Sequence, residues 1–412
     1  MELMSGYKAT EIGVIPNDWD AKAMDEIAIV TSGKRLPLGS SLVLHPTPHP
    51  YIRVTDMRPG TVDLTEIRYV PETVFPAIKR YRIFSQDIFI SVAGSLGIVG
   101  KVPRELDGAN LTENADRITN ITCSQDFLLH VLMSPLVQNI IDSIQTVGAQ
   151  PKLALTRIRK FVIPQPPLPE QCAIADALND VDALLAGLDR LIAKKRDLKR
   201  AAMQQLLTGQ TRLPGFQGEW KKSTIGQEFE VALGKMLDAE RNVGTPKPYI
   251  GNRSVQWGRI EISELQYVPL TPADMERYRL AKGDLLVCEG GEVGRAAIWE
   301  APIDECYYQK ALHRLRPLRG MNPLFMAATL ALWADRGVLD NYVTQTSIAH
   351  LPREKFIQVP IDVPTIPEQT AIATVLSDMD AELAALEARR DKTRMLKQGM
   401  MQELLTGRTR LI

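Results

Sequence analysis

Apolar residues recur at alternating steps of four and three along two stretches of the chain. In the first stretch they fall at Ile174, Leu178, Val181, Leu185 and Leu188. In the second stretch they fall at Ile372, Leu376, Met379, Leu383 and Leu386. This spacing is typical of the seam of a coiled coil. Each stretch begins with Pro and ends at Thr-Gly, so we expect two long helices of about 60 Å each.

The two predicted helices belong to a larger internal repeat. The sequences "MQQLLTGQTRLP" at 203–214 and "MQELLTGRTRLI" at 401–412 are nearly the same, and the similarity runs back without a gap to the start of each helix. Upstream, residues 51–71 align with 249–269, and residues 80–102 align with 277–299. The chain is therefore two half-proteins in tandem.

Charge is distributed unevenly along both predicted helices. Residues 170–189 and 368–387 contain acidic but no basic residues, whereas 190–200 and 389–397 are basic apart from one aspartate each. Antiparallel pairing sets each acidic half against a basic half and opposes the two helix dipoles. The same distribution also suits the dipole of each helix taken alone. We predict an antiparallel coiled coil formed within one chain.

These patterns predict an α+β fold built as a pseudo-two-fold tandem repeat. Two globular heads are joined by the two long helices, and the second helix returns to the first head. The expected segments are head 1 (residues 1–166), long helix 1 (167–210), head 2 (211–364) and long helix 2 (365–412). Such a pair of helices would fix the distance between two binding sites.

Composition adds few constraints. The chain has 412 residues, 45% of them hydrophobic, which is enough for two or more cores. Lys+Arg and Asp+Glu both number 49, so a nucleic-acid partner would have to be bound by local charge. Four cysteines lack metal-ligand spacing, the N-terminus lacks a signal peptide, and the apolar stretch 324–334 is too short to span a bilayer. We expect a cytoplasmic protein in which 324–334 is a buried helix.

No motif supports catalysis by the chain itself. "GSLGIVG" at 94–100 suggests a nucleotide loop, but its counterpart in the second half keeps only two of the glycines, so a turn between strands is expected. "NPLF" at 322–325 lacks the second proline of an adenine methyltransferase motif and predicts a helix start. Glu219 and Lys221 lack an upstream acidic partner, and His45 and His49 lie in a Pro-rich loop. We predict no catalytic residue, no metal site and no cofactor.

Three features carry a family resemblance. They are "YKATEIGVIPNDW" at 7–19, a G-x-x-G after a strand in each half (Gly94 to Gly97 and Gly291 to Gly294), and Pro-Glu-Gln opening each long helix. In this order they resemble the DNA-specificity subunit of type I restriction-modification systems, over essentially the whole chain.

The resemblance implies a non-catalytic subunit. Each head would be a target recognition domain that reads one half of a bipartite site in double-stranded DNA. The helices would set the spacer and dock two methyltransferase subunits, and restriction/translocase subunits would join this core. S-adenosylmethionine, ATP and Mg would bind the partner subunits only.

Other functions stay open on the sequence alone. The chain could be a two-headed coiled-coil scaffold or a stand-alone DNA-binding regulator, and a neighbouring gene for an adenine methyltransferase would argue against both. A self-contained enzyme with duplicated domains is disfavoured, because no catalytic constellation is found.

Candidate DNA contacts are polar residues at positions where the halves differ, since scaffold positions should match and reading positions should not. Lys and Arg would contact phosphates, and Arg, Asn, Gln and Lys would contact base edges. The candidates in head 1 are Lys34, Arg35, Arg53, Thr55, Asp56, Arg58, Glu113, Asn114, Arg117, Gln150 and Lys152. Those in head 2 are Lys235, Asn252, Arg253, Ser254, Gln256, Gln309, Lys310, His313, Gln345 and Thr346. An ordinary surface role is open for each, and the differences predict an asymmetric target.

Overall fold

The chain divides into two compact units in the computed structural model, which describes residues 6–145, 151–238, 240–345 and 349–411. Unit 1 comprises Met1–Leu188 and Arg389–Ile412, and unit 2 comprises Asp189–Ala388. Each unit therefore contains one predicted head and half of each long helix. The four predicted segments keep each long helix as a segment of its own, whereas the two units divide each helix between them. The bounds of the four segments therefore stay a proposal.

Unit 1 is built from short strands separated by Gly- and Pro-containing turns, followed by helices. Its strands are β1 (Tyr7–Thr10), β2 (Gly13–Pro16), β3 (Asp20–Ala23), β4 (Ile29–Ser32), β5 (Pro50–Ile52), β6 (Met57–Arg58), β7 (Thr61–Val62), β8 (Arg68–Tyr69), β9 (Arg82–Ile83), β10 (Ile88–Ser91), β11 (Val99–Lys101), β12 (Ala109–Leu111), β13 (Ala115–Thr119) and β14 (Val162–Gln165). Its helices are α1 (Met24–Ile27), α2 (Phe75–Ile78), α3 (Gln125–Met133), α4 (Pro135–Gln145), α5 (Leu155–Arg159) and the first half of α6 (Leu168–Leu206).

Unit 2 repeats the main elements of unit 1 in the same order. Its strands are β15 (Lys221–Thr224), β16 (Phe229–Leu233), β17 (Thr245–Ile250), β18 (Val255–Gln256), β19 (Arg259–Ile260), β20 (Gln266–Leu270), β21 (Leu285–Cys288), β22 (Ala296–Ile298), β23 (Tyr307–Tyr308), β24 (Leu312–Pro317), β25 (Thr344–Gln345), β26 (Ala349–His350) and β27 (Pro360–Val363). Its helices are α7 (Ile225–Glu228), α8 (Pro272–Tyr278), α9 (Pro323–Asp335), α10 (Arg353–Phe356) and the first half of α11 (Ile366–Leu404).

The sheets of the two units have matching strand orders. Each unit contains a four-stranded antiparallel sheet, ordered β11-β10-β13-β4 in unit 1 and β22-β21-β24-β16 in unit 2. A second sheet in each unit contains one parallel pair, β5 with β12 and β17 with β23. The repeat seen in the sequence is thus a repeat of the fold, and the predicted α+β class is confirmed.

One apolar helix lies at the centre of each unit. In unit 1 this is α3, whose Phe127 and Leu128 pack in one cluster with Ile88 of the sheet and Ile174 of α6. In unit 2 it is α9, which starts after the N-cap Asn322 and buries Phe325 and Met326. The predicted helix at 324–334 is therefore confirmed, and so is the helix start at "NPLF". The predicted turn at "GSLGIVG" is also confirmed, because β10 and β11 pair on either side of it.

The glutamine of each Pro-Glu-Gln motif joins a long helix to this central helix. Gln171 accepts a hydrogen bond at Oε1 from the backbone N–H of Ser124, the N-cap of α3, at 2.8 Å. Gln369 accepts one in the same way from Asn322, the N-cap of α9, at 2.8 Å. Free N–H groups at a helix start need such acceptors, so the motif fixes each head to its long helix.

The glutamate of the motif pairs with the arginine of the repeated ending. Arg212 reaches Glu368 through Nε at 2.5 Å and Nη2 at 2.6 Å. Arg410 reaches Glu170 through the same atoms at 2.6 and 2.8 Å. Both glutamates are buried, and each arginine lies over a tryptophan ring. We call these contacts clamp 2 (Arg212 with Glu368) and clamp 1 (Arg410 with Glu170).

The long helices run antiparallel within each unit. In unit 2, Lys195 pairs with Glu382 at 2.6 Å and Lys199 pairs with Asp380, so the partner number falls as the residue number rises. In unit 1, Lys397 pairs with Asp182 at 2.6 Å. These are the acid–base pairs that the charge pattern predicts. The seam positions are buried or half-buried; winding of the helices as a coiled coil stays a prediction.

In the part of the chain that the structure describes, no single helix is both long and apolar enough to cross a membrane. The bent pair Gln125–Met133 with Pro135–Ile144 meets that length and composition only when the two helices are taken together.

Candidate nucleic-acid interface

Backbone hydrogen bonds bring the four candidate segments of head 1 together. The N–H of Lys34 donates to Leu111 O at 2.8 Å, and the N–H of Thr112 donates to Ile52 O at 3.1 Å. Val92 lies between the last two segments, because its N–H donates to Asn114 O at 2.8 Å and its carbonyl accepts from Leu153 N at 3.0 Å. We call this group cluster 1: the four candidate segments, residues 33–36, 52–58, 111–114 and 151–153, together with the linking segment 92–97.

Head 2 repeats the same four contacts. Lys235 N donates to Tyr308 O at 2.9 Å and Gln309 N donates to Ile250 O at 3.1 Å. Glu289 donates through its N–H to Ala311 O at 3.0 Å and accepts from Leu351 N at 2.7 Å. Cluster 2 comprises residues 234–237, 250–256, 289–294, 308–311 and 349–351. Segments distant in the sequence thus form one surface in each head.

A glycine in each head permits the closest of these approaches. A Cβ atom on Gly33 would lie 2.1 Å from the carbonyl oxygen of Thr112. A Cβ atom on Gly234 would lie 2.3 Å from the carbonyl oxygen of Tyr308. The obstacles are backbone atoms that cannot rotate away. The glycine of the Gly-Lys pair shared by "TSGKR" and "ALGKM" is therefore needed for these backbone segments to approach each other.

Two arginines and one aspartate predicted to contact DNA are used inside head 1. Arg53 donates from Nε at 3.0 Å and from Nη2 at 2.5 Å to Asp56, which is buried. Arg58 donates to Thr55 O and Met57 O at 2.9 Å and to Asp63 at 3.0 Å. The prediction for Asp56 is wrong, because its carboxylate is buried and holds the turn that contains it.

The remaining candidates of head 1 differ in accessibility. Lys34, Arg35, Thr55 and Lys152 are exposed, and Glu113 and Asn114 are half-buried in cluster 1. Arg117 lies in β13 and donates to the carbonyl of Arg82. Gln150 lies outside the described residues. All of the exposed candidates stay predicted DNA contacts.

Among the head 2 candidates, Arg253 and Lys310 are exposed cations, and the described part of the chain offers neither an ion-pair partner. Lys235 pairs with Asp274 at 2.9 Å, and Asn252 donates to Gly290 O at 2.9 Å. The other candidates of head 2 are half-buried, or their side chains are not described. Ser254, Gln256 and Gln309 are half-buried, the side chain of Gln345 is not described, and Thr346 lies outside the described residues.

The prediction for His313 is wrong. Its side chain is fully buried in β24, its Nε2 lies 2.9 Å from Leu351 O, and its ring packs on Phe356. Burial lowers the pKa of His313 to about 4. Residues 312–315 of β24 are all buried, so the position of His313 in this strand decides its role, and the identity of the residue does not reveal it.

This histidine predicts acid sensitivity of unit 2. The pKa of an unfolded histidine is about 6.5, so the unfolded chain binds the proton first and stability falls as the pH drops from 6.5 towards 4. Between pH 7 and pH 5 we expect a loss of about 2 kcal/mol, measured by amide hydrogen exchange in β21 and β24. His313→Gln keeps a donor for Leu351 O and should remove most of this loss, whereas His45→Gln in an exposed loop should not. An unchanged pH dependence in His313→Gln would contradict the assignment.

Glu289 is a residue of cluster 2 that comparing the two halves of the sequence did not identify. Burial raises the pKa of this carboxyl, while His350 and Lys310 nearby act in the opposite direction. Its counterpart in head 1 is Val92, which gives no polar signal. The signal in the sequence that could have identified Glu289 is its position just before the G-x-x-G turn.

A cavity of about 560 Å³ lies beside cluster 2. It is lined by Trp257, whose Nε1 donates to Glu292 at 2.5 Å, and also by Asp335 and Asp340. Acidic side chains repel phosphate, so this cavity is unsuited to the DNA backbone.

The comparisons with known proteins agree with this duplicated architecture. A family model described as the type I restriction modification DNA specificity domain matches residues 16–194 and again residues 217–393. The chain belongs to this family. Its two tandem domains make it a DNA-recognition subunit of such a system, not one of its enzymes.

Relatives cover the whole chain or half of it. A Methanocaldococcus jannaschii protein, provisionally named as the specificity subunit of the type I restriction enzyme MjaX, is 23% identical, covering 98% of this chain and 97% of that protein. The EcoKI specificity subunit of Escherichia coli is 24% identical, over 58% of this chain and 53% of its own length. The crystal structure of an S subunit from M. genitalium has a TM-score of 0.58 at 15% identity and covers 98% of both chains. That likeness shows the fold alone.

Proposed function

We propose that this chain reads a bipartite, asymmetric site in double-stranded DNA for a type I restriction-modification complex. Head 1 reads one half of the site through cluster 1, and head 2 reads the other through cluster 2. One observation supports this proposal above all. Both specificity domains assemble the same four segments into one surface, yet they display different side chains there. Matching backbones with differing polar groups suit two readers of different sequences.

The long helices have the partner-binding and spacing role in this proposal. Two methyltransferase subunits dock on them, and restriction/translocase subunits complete the assembly in the cytoplasm. S-adenosylmethionine, ATP and Mg bind those partners. The identical Glu and Gln contacts at the starts of α6 and α11 support this role, because they hold each head in the same way on its helix.

Methylome sequencing tests the proposal. Deleting the gene should abolish one bipartite N6-methyladenine motif, provided that the locus is expressed, and complementation should restore it. Exchanging residues 1–165 with those of another such subunit should change one half of the motif and leave the other unaltered. Retention of the motif after deletion, or a change in both halves after the exchange, would contradict the proposal.

A further inference from the structure

Arg35 is held in place by one atom and leaves the rest of its guanidinium free. Its Nε donates to Glu113 Oε1 at 2.6 Å, and its side chain is 78% exposed. In the described part of the chain, Nη1 and Nη2 have no hydrogen-bond partner. The guanidinium therefore keeps two parallel N–H groups, one on Nη1 and one on Nη2, on the side opposite to Nε.

The other arginines of cluster 1 do not have this property. Arg53 uses Nη2 on Asp56 and on Glu66 O, and Arg58 uses both of its Nη atoms on its own turn and on Asp63. Each of them thus already uses at least one Nη atom inside the head. Within cluster 1, Arg35 is thus the arginine equipped to bind a ligand with two acceptors.

The support beneath Arg35 is fixed on both sides. Glu113 accepts from Thr112 Oγ1 at 3.1 Å through its other oxygen, and Tyr51 donates its hydroxyl to Lys34 O at 2.9 Å. Burial alone would raise the pKa of Glu113, but the hydrogen bonds from Arg35, from its own backbone and from Thr112 outweigh it and lower that pKa. The carboxylate stays charged, and the guanidinium loses little freedom on binding.

Two acceptor pairs in DNA fit such a fork: O6 and N7 of guanine, or two phosphate oxygens. The Glu113 carboxylate beside Nε would repel a phosphate, but it does not repel the uncharged base edge, whose cytosine partner presents an amino donor. We propose that head 1 recognises a guanine of its half-site through Arg35, with Glu113 as the positioning residue. This inference rests on the proposed function.

The recognition is specific to head 1. Met236 follows Lys235 where Arg35 follows Lys34, and Lys310 follows Gln309 where Glu113 follows Thr112. Head 2 therefore lacks both members of the pair although its backbone contacts are the same. A guanine read in this way belongs to one half-site only.

The test uses the full chain in complex with its methyltransferase partner. Competition binding compares duplexes that carry each of the four base pairs at every position of the half-site assigned to head 1 by the 1–165 exchange. Arg35→Ala should lower the preference for G·C at one position by about 10- to 100-fold and leave the other half-site unaffected. Glu113→Ala should lower it too, whereas Glu113→Gln should retain it, because an amide oxygen still accepts from Nε. Arg241→Ala is the matched control, an exposed arginine that Asp238 holds through Nε outside both clusters.

The outcomes separate this inference from the proposed function. If Arg35→Ala weakens all duplexes equally and reduces the salt dependence by about one phosphate contact, Arg35 binds phosphate and the inference is wrong. If Arg35→Ala, with an unchanged melting temperature, keeps the preference, the inference is also wrong while the proposed function stands. If the wild-type complex binds no bipartite target, the proposed function itself fails.

Discussion

Arg212→Ala should clearly destabilise unit 2, because it leaves the carboxylate of Glu368 buried without its cation. Glu368 is 0% exposed, and both of its oxygens are held by Arg212. The reverse change, Glu368→Gln, should cost less. Arg212 is 23% exposed in its side chain and also donates to Gly218 O, so its charge can reach water.

Clamp 1 provides an internal comparison for this prediction. Trp19 Nε1 donates to Glu170 at 3.0 Å, and Arg410 also pairs with Asp18. In clamp 2 the equivalent nitrogen of Trp220 is buried without a partner among the described residues. Arg410→Ala should therefore cost less than Arg212→Ala, since Glu170 keeps one donor.

Peptide-resolved amide hydrogen exchange at the start of α11 and of α6 would measure the two effects separately. This choice avoids fitting one unfolding free energy to a protein of two units. Arg408→Ala is the control, because Arg408 is an exposed residue of the same ending and should change stability by no more than about 0.5 kcal/mol. Equal exchange in Arg212→Ala and Arg408→Ala would show that clamp 2 is not stabilising.

Gly234→Ala should cost about 3 kcal/mol or more and disable DNA reading by head 2. The added methyl group would lie within 2.5 Å of three backbone atoms of Tyr308 and Gln309, so the two segments must separate. Separation breaks the Lys235 N–H bond to Tyr308 O and displaces Lys310 and Gln309 together. Gly33→Ala should have the same effect on cluster 1.

Peptide-resolved amide hydrogen exchange, together with binding to a duplex that carries the bipartite motif, would measure this loss. Gly187→Ala and Gly399→Ala are matched controls that should change stability in the opposite direction. Both glycines lie in long helices, and no atom lies within 4 Å of the added carbon. Each should raise stability by about 0.5–1 kcal/mol through helix propensity. If Gly234→Ala binds and unfolds like wild type, the close approach does not constrain cluster 2.

The doubled "LLTG-x-TRL" ending now has a structural explanation. Its arginine enters the clamp, and its glycine adopts a positive φ of 70° in both copies. Gly407 packs against Pro16, and Gly209 packs against the ring of Trp220. Each ending thus packs against the first residues of one head. Both copies are needed because each unit uses the end of one long helix and the start of the other.

Sequence alone predicted the features that depend on periodicity and local repetition. The seam spacing gave two long helices, the charge halves gave their orientation within each unit, and the repeat gave two heads of one fold. Such features are encoded residue by residue along one element, so no distant contact is needed to recognise them. The G-x-x-G turns and the helix start at Asn322 belong to the same class.

The sequence did not determine which polar residues are free to bind. Arg35 and Arg53 look equivalent in the chain, yet one is exposed with an open fork and the other is bound to the buried Asp56. His313 was a reasonable DNA contact by type and is a core residue by position.

Availability depends on which groups the fold brings within hydrogen-bond distance, and those partners come from segments far apart in the chain. Glu113 reaches Arg35, and Glu368 reaches Arg212, only because the strands and helices between them pack as they do. Sequence determined the repeated frame of this protein. Tertiary structure decided which charges stabilise that frame and which stay exposed, because each N–H donor that is paired inside the protein is no longer available to a partner outside it.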